Sequence, residues 1–286
     1  MPSPAEAGQT PHAVTGNAIR RIVLEQSKRA NVGHIGSALS VADVIAALYG
    51  SVLRIPGPGH PDRDRFVLSK GHAVLAVYAA LALRGELPVE QLDTYCGDGS
   101  MLGVHPEHVL PGIDFSSGSL GHGLSFAVGA VLAARMQRSQ RRAFALLSDA
   151  ECNEGSVWEA AMFAAHHRLS ALVALIDLNG QQALGYTDDV LSLSPMAERW
   201  RAFGWDVHEV DGHDAGQLVA TIARLETASG PPHVLIAHTV FGKGVSYMER
   251  QIKWHYSPMS DDEYGRALAE IEDQERSACE APSSAR

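Results

Sequence analysis

Two apolar runs of strand length, each closing on an acid, constrain this chain more than any other feature in it. AFALLSD (143–149) and ALVALID (171–177) flank a stretch, 156–167, with a helical pattern. Both runs are apolar at nearly every position, as in a strand covered on both faces. Strand, helix and strand make a crossover unit, and crossover units build parallel sheets. The series goes on with VLIAHT (234–239), a shorter run WDVHEVDG (205–212), and helical patterns over 195–203 and 215–226. Upstream, VADVIAALYGSVL and SLGHGLSFAVGAVLAARM read as buried helices. The expectation is an α/β fold: a doubly wound, mostly parallel sheet with helices on both faces and a helical N-terminal portion.

A chain of 286 residues can form one large unit of this kind, and 45% hydrophobic with 20% charged residues is enough for a sizeable core. A net charge of −10 argues against nucleic acid, whose phosphates need a basic surface. No run of 18 apolar residues is present, which argues against a membrane span, and the start MPSPAEAGQTPHA lacks a secretory pattern. Cys96, Cys152 and Cys279 are too widely spaced for a disulfide framework or a zinc ribbon. The chain reads as cytoplasmic and reduced. The first dozen residues and the closing EAPSSAR are small, polar and proline-rich, so both ends are expected to be loose.

Parallel sheets bind ligands at the carboxyl ends of their strands. Asp149 ends one run and DLNG (177–180) ends the next, placing Asp149 and Asn179 30 residues apart, room for one crossover helix. Two oxygen-bearing side chains at adjacent strand ends, with a nearby carbonyl, form a partial cage for a hard cation such as Mg²⁺ beside a diphosphate. The plainer reading is that Asp149 caps a helix and Asn179 makes an Asn-Gly turn. A second cluster is histidines in glycine-rich loops: VGHIGS (His34), SKGHAV (His72), GVHPEH (His105) and LGHG (His122). Glycine admits close backbone approach and imidazole moves protons near neutral pH. No Cys/His zinc spacing appears, and FGKGVSYMERQIKWHYSP (241–258) lacks the Walker spacing. His166 and His167 lie in a helix heading away from the strand ends and receive no role.

GHIG, DRDRFVLSKGHA, GVHPE, SGSLGHG, SDAECNEGSVWEA, DLNGQQALG and GKGVSYME…WH follow one another in an order and spacing that resemble the N-terminal part of transketolases, from about residue 15 to about residue 265. The resemblance implies a thiamine-diphosphate/Mg-binding domain over 15–265, a flexible N-terminus over 1–14, and a helix end and tail over 266–286. It implies that Asp149, Asn179 and the Gln181 carbonyl hold Mg²⁺, or Ca²⁺ or Mn²⁺ in its place. His72, Gly118, Ser119, Leu120, Ala150, Asn179 and His255 would line thiamine diphosphate. His34, His105 and His255 would face substrate hydroxyls and move protons. Glu154 matches a buried acid that joins the two active sites of a dimer. Ketol transfer moves a two-carbon unit from a ketose, or ketose phosphate, to an acceptor, with the cofactor as electron sink.

The sequence departs from the family where Gly-Asp-Gly becomes Ser148-Asp149-Ala150, and where Ser119 and His122 replace a proline and a glutamine. If position 150 needed a positive φ, alanine would cost ~1–2 kcal/mol there. The transketolase halves that follow this one in the family do not occur within the 286 residues. The expectation is therefore a split enzyme, α2β2, whose second subunit (pyrimidine-binding and C-terminal domains) brings the activating glutamate. Three other readings stay open: transfer to a lipoyl or carrier-protein thiol, a deoxyxylulose-phosphate-synthase-like condensation, and a non-catalytic cofactor-binding subunit.

Overall fold

The computed structural model of the chain describes residues 12–57 and 59–280. Its strands are β1 (Arg65–Leu68), β2 (Ala143–Ser148), β3 (Leu172–Leu178), β4 (Gln181–Gln182), β5 (Gly185–Tyr186), β6 (Asp206–Asp211) and β7 (His233–His238). β1, β2, β3, β7 and β6 lie side by side in that order, every pair parallel. β4 and β5 form a separate antiparallel hairpin. In the main sheet Ser148 stands beside Asp177 and Asp177 beside Ala237, so the carboxyl ends of β2, β3 and β7 finish level with one another.

The helices are α1 (Gly16–Ala30), α2 (Ile35–Ser40), α3 (Ala42–Ala47), α4 (Val74–Leu83), α5 (Val89–Leu92), α6 (Gly123–Met136), α7 (Gly155–His166), α8 (Thr187–Leu191), α9 (Met196–Ala202), α10 (Ala215–Ala223) and α11 (Asp261–Glu280). They cover both faces. Phe144 and Leu146 of β2 and Val173 and Leu175 of β3 join the core built with α1, α3, α4 and α10. Ala143, Ala145 and Leu147, with Leu172, Ala174 and Ile176, turn to α6, α7 and α9. The period-two alternation survives inside continuously apolar strands because each face meets a helical layer.

The doubly wound parallel sheet is as expected, and β2, β3, β6 and β7 fall on the four runs read as strands. The helical stretch at 41–53 is α3 followed by a π-helical turn, Leu48–Val52. β1 was not foreseen: its RFVL is short and follows charged residues, and pairing with β2 is what makes it a strand. α4, VLAVYAALAL, is buried along its whole length, so it carries no amphipathic signal to read. At the far end α11 runs beyond residue 265 and docks on α1, where Arg21 reaches Glu272 at 3.2 Å and Glu275 at 2.7 Å. The His12 N–H bonds to the Leu83 carbonyl at 2.9 Å; residues 1–11 and 281–286, read as loose, lie outside the described residues. Among the described residues no helix is long and apolar enough to cross a membrane.

Candidate functional site

Four parallel strands deliver polar residues to one end of the sheet: Ser69-Lys70-Gly71-His72 after β1, Asp149 after β2, Asn179 after β3 and Thr239 after β7. At the centre lies an ion pair in which both side chains are fully buried, Lys70 Nζ to Asp177 Oδ2. The Ser40 hydroxyl donates to Asp177 at 2.7 Å, Asn179 Nδ2 donates at 2.7 Å, and the Thr239 hydroxyl donates as well. Burial would raise the Asp177 pKa, yet the Lys70 charge and these donors hold it below the usual carboxylate range. Lys70 also donates to Ser37 Oγ at 3.1 Å, and Ser37 Oγ lies 3.0 Å from His72 Nε2. Ser37 thereby links the Lys70 ammonium to the His72 imidazole.

Asp149 is 2% exposed and has no ion-pair partner among the described residues. Its oxygens accept from the Ala150 N–H and the Gly180 N–H, both at 2.8 Å. Burial, with the Asp177 charge nearby, pushes its pKa up to about 7. Asn179 Oδ1 accepts from the Gln181 N–H at 2.9 Å, closing a turn in which Gly180 sits at φ +74°. The plain readings of these residues as cap and Asn-Gly turn are therefore locally true, and the same turn brings Asn179, Gly180 and Asp149 to one pocket of about 310 Å³. Gln181 is buried, donates from Nε2 to the Arg250 carbonyl at 2.8 Å, and leaves its side-chain oxygen without a partner.

The Ser148-Asp149-Ala150 departure carries no backbone strain: neither Ser148 nor Ala150 is among the positive-φ residues, and Ala150 opens a 3₁₀ turn, Ala150–Asn153. Ser148 Oγ accepts the Glu151 N–H of that turn at 3.0 Å. Glu151, fully buried, fastens three segments. It accepts from Ser69 Oγ, from the Gly121 N–H at 2.7 Å and from the Ser148 N–H at 3.3 Å. It thereby ties the turn Gly118-Ser119-Leu120 to the ends of β1 and β2.

Glu154 lies beside the turn Gly118-Ser119-Leu120. Within this chain it is exposed; its Cβ packs against Gly121, where an added Cβ would come within 2.7 Å. Glu151, passed over in the sequence reading, is the buried acid of that stretch.

The four loop histidines split. His122 is exposed at the start of α6, whereas His34, His72 and His105 converge and are joined by His255. The His34 and His72 rings stand 5.6 Å apart, and the His34 N–H bonds to the His255 carbonyl at 3.3 Å. His34 holds φ +61°, a left-handed backbone unusual for a residue with a side chain. His105 closes on Gly71 and Gly118, where added Cβ atoms would lie 3.0 and 3.1 Å from its ring, so glycine is what lets the imidazole in. His255 stacks on Phe241 at 4.3 Å. Burial keeps His34 below its ordinary pKa and His72 well below it; burial, with the Lys70 and His34 charges, lowers His255 to about 4. His34 Nδ1 and His255 Nε2 are buried without hydrogen-bond partners.

Every residue singled out from sequence thus lies at or beside the carboxyl end of the sheet, with Ser119 and Leu120 exposed on its rim. Sequence reasoning missed Lys70, Asp177, Glu151 and Ser37. The signal was present for Asp177, the acid that closes an apolar run, whereas Lys70 follows a strand that only its pairing with β2 reveals.

The family described as "Transketolase, thiamine diphosphate binding domain" matches residues 12–272. The 6-deoxy-6-sulfo-D-fructose transketolase subunit of a Clostridium species is 42% identical over 259 residues, covering 90% of this chain and 94% of that protein. An apulose-4-phosphate transketolase subunit from Phocaeicola vulgatus is 42% identical over 257 residues, covering 89% and 92%. The crystal structure of transketolase from Campylobacter jejuni superposes with a TM-score of 0.84 at 27% identity, covering 91% of this chain and 42% of that one.

Proposed function

This chain belongs to the transketolase thiamine-diphosphate-binding family, and from that premise we propose that it is the diphosphate-binding subunit of a two-component transketolase. It passes a two-carbon ketol unit from a ketose or ketose phosphate to an acceptor. The observation that carries the reading is Asp149: a carboxylate 2% exposed, with no cationic side chain paired to it among the described residues, beside Asn179 at a strand end. A buried anion without a counter-charge is a place for a cation, and oxygen donors suit Mg²⁺, or Ca²⁺ or Mn²⁺. The donor set fits: Asp149 and Asn179, with the Gln181 carbonyl, would hold the ion against the diphosphate of thiamine diphosphate. His72, Gly118, Ser119, Leu120 and the Ala150 N–H would line the cofactor.

When bound, thiamine diphosphate supplies a carbanion and an electron sink for carbon–carbon cleavage. This chain's own contribution is hydrogen bonding and proton transfer. Neutral imidazoles both donate and accept, which suits sugar hydroxyls. His34 Nδ1 and His255 Nε2 are the atoms free to do so, with His105 beside them.

A second chain completes the site. Leu120, Phe126, Met162 and Phe163, on the cofactor turn, α6 and α7, are exposed by 37 to 53%. Such a group of large apolar side chains fits a protein interface. Glu154 sits against the same turn, and its burial would come from the partner. Two relatives spanning nearly the same length are themselves called transketolase subunits. The partner is a C-terminal transketolase subunit bringing the activating glutamate, the assembly is α2β2, and the place of action is the cytoplasm.

Calorimetry of the two-chain complex with thiamine diphosphate and Mg²⁺ tests the reading. Saturable binding is expected, weakened at least about 100-fold in Asp149→Asn, since even outer-shell changes at metal sites cost ~10–100-fold. Absence of binding in the unmodified complex contradicts it. A donor screen then compares a ketose phosphate with pyruvate; turnover with pyruvate alone would favour a deoxyxylulose-phosphate-type reaction.

A further inference from the structure

At the opposite end of the sheet, the amino ends of β6 and β7 gather a second set of metal-competent side chains. Asp206 opens β6, and His208, two residues on, emerges on the same face. His233 opens β7 and stands directly beside Asp206 in the parallel register. His208 Nε2 and His233 Nδ1 each lie 3.0 Å from the same oxygen, Asp206 Oδ2. The three potential ligand atoms all fall within 4.8 Å of one another.

The hydrogen bonds of His233 decide what this arrangement can hold. Its side chain is 2% exposed, and Nε2 lies 2.9 Å from the Glu226 backbone carbonyl, which only accepts. Nε2 therefore carries the ring hydrogen, and in the neutral imidazole Nδ1 is a bare lone pair. That lone pair faces a carboxylate oxygen, which is also only an acceptor. A positive centre belongs between them. His208 can donate from Nε2 to Asp206, but the His233 Nδ1 contact has no hydrogen of its own, and one cation between the three atoms serves both contacts at once.

We propose that Asp206, His208 and His233 bind a divalent transition-metal ion of the zinc type. Two imidazole nitrogens and one carboxylate oxygen are donors that zinc accepts in tetrahedral sites, while Mg²⁺ and Ca²⁺ prefer all-oxygen sets. Ligands about 2.0–2.1 Å from tetrahedral zinc stand roughly 3.3 Å apart, so the 3.0 Å contacts need to open by only a few tenths of an ångström. The Glu226 carbonyl on the far nitrogen of His233 is the outer support that metal-bound histidines use to fix their tautomer. The Asp206 side chain is 45% exposed and His208 31%, so a fourth position opens to water. With its ligands on two paired strands and far from the cofactor end, the ion staples the edge strand β6 to β7.

The test uses the chelator-treated full chain, titrated with Zn²⁺ by calorimetry in the presence of saturating Mg²⁺, with the thermal midpoint followed in parallel. One equivalent of Zn²⁺ binds and raises the midpoint. In His208→Ala, which removes a partly exposed ligand and leaves the core intact, affinity falls at least tenfold. Asp149→Asn, at the other end of the sheet, binds Zn²⁺ as the unmodified chain does. Failure to bind one equivalent overturns the proposal, as does binding that His208→Ala leaves unchanged or that Asp149→Asn removes.

Discussion

His34, His72 and His255 owe their neutrality to burial, and that has a measurable consequence for pH. The unfolded chain protonates its histidines near the ordinary value of 6.5, whereas His255 resists protonation until about 4. Between those limits the unfolded state binds more protons, so stability is full above about 6.5 and is lost as pH falls towards 4. For His255 alone the loss amounts to about 3 kcal/mol. Denaturant titrations at several pH values should show that decline, and His255→Asn should shrink it; an unchanged slope would contradict the neutral assignment. Ser148 is the second residue whose role the structure defines. Where the family has a glycine, its hydroxyl accepts the Glu151 N–H, so Ser148→Ala is expected to cost about 1 kcal/mol in urea unfolding, as the loss of a turn cap does. From sequence, Ser148 and Ala150 looked like the weak point of the cofactor site. An ordinary φ at Ala150 and a used hydroxyl at Ser148 remove that objection. Neither could be known before the backbone was.

Elements that advertise themselves by pattern were legible, and those that depend on neighbours were not. β2 and β3 carry continuous apolar runs, and β6 and β7 were recognised as their companions. β1 has only RFVL and exists as a strand through its pairing with β2. Its unrecognised carboxyl end is where Lys70 and His72 emerge, so missing β1 also meant missing the Lys70–Asp177 pair that joins β1 to β3. His34, Asp149 and Asn179 could be picked out because glycine neighbours and strand ends mark them in sequence. Lys70, Glu151 and Ser37 could not, because their roles come from other segments of the chain: Lys70 meets Asp177 107 residues on, Glu151 meets Ser69 82 residues back, and Ser37 meets Lys70 33 residues on. Lys70→Met would leave Asp177 buried and uncompensated, which costs about 3–5 kcal/mol. Changing Asp177→Asn in the same chain should recover part of that loss. Equal stability of Lys70→Met and the unmodified chain, read from denaturant midpoints, would show that the pair does not brace the strand ends.

The molecule as a whole is a sheet with two chemically different ends. The carboxyl end concentrates buried Asp149, the Lys70–Asp177 pair and neutral histidines, while Leu120, Phe126, Met162 and Phe163, on the 118–120 turn, α6 and α7, are apolar and exposed. The amino end of β6 and β7 holds the His-His-Asp set. The doubly wound sheet was readable in sequence from its alternating runs, and the family from motifs that occur in one order. The second end was not, since Asp206, His208 and His233 become neighbours only through the β6–β7 register. If this chain is one half of an active site, the most direct measurement is ketol transfer by the purified chain alone and together with a C-terminal transketolase subunit. Turnover of a ketose phosphate donor that appears only when both chains are present, and disappears with Asp149→Asn, is the expected result. Full turnover by this chain alone, or none in the two-chain complex with thiamine diphosphate and Mg²⁺ supplied, would contradict it.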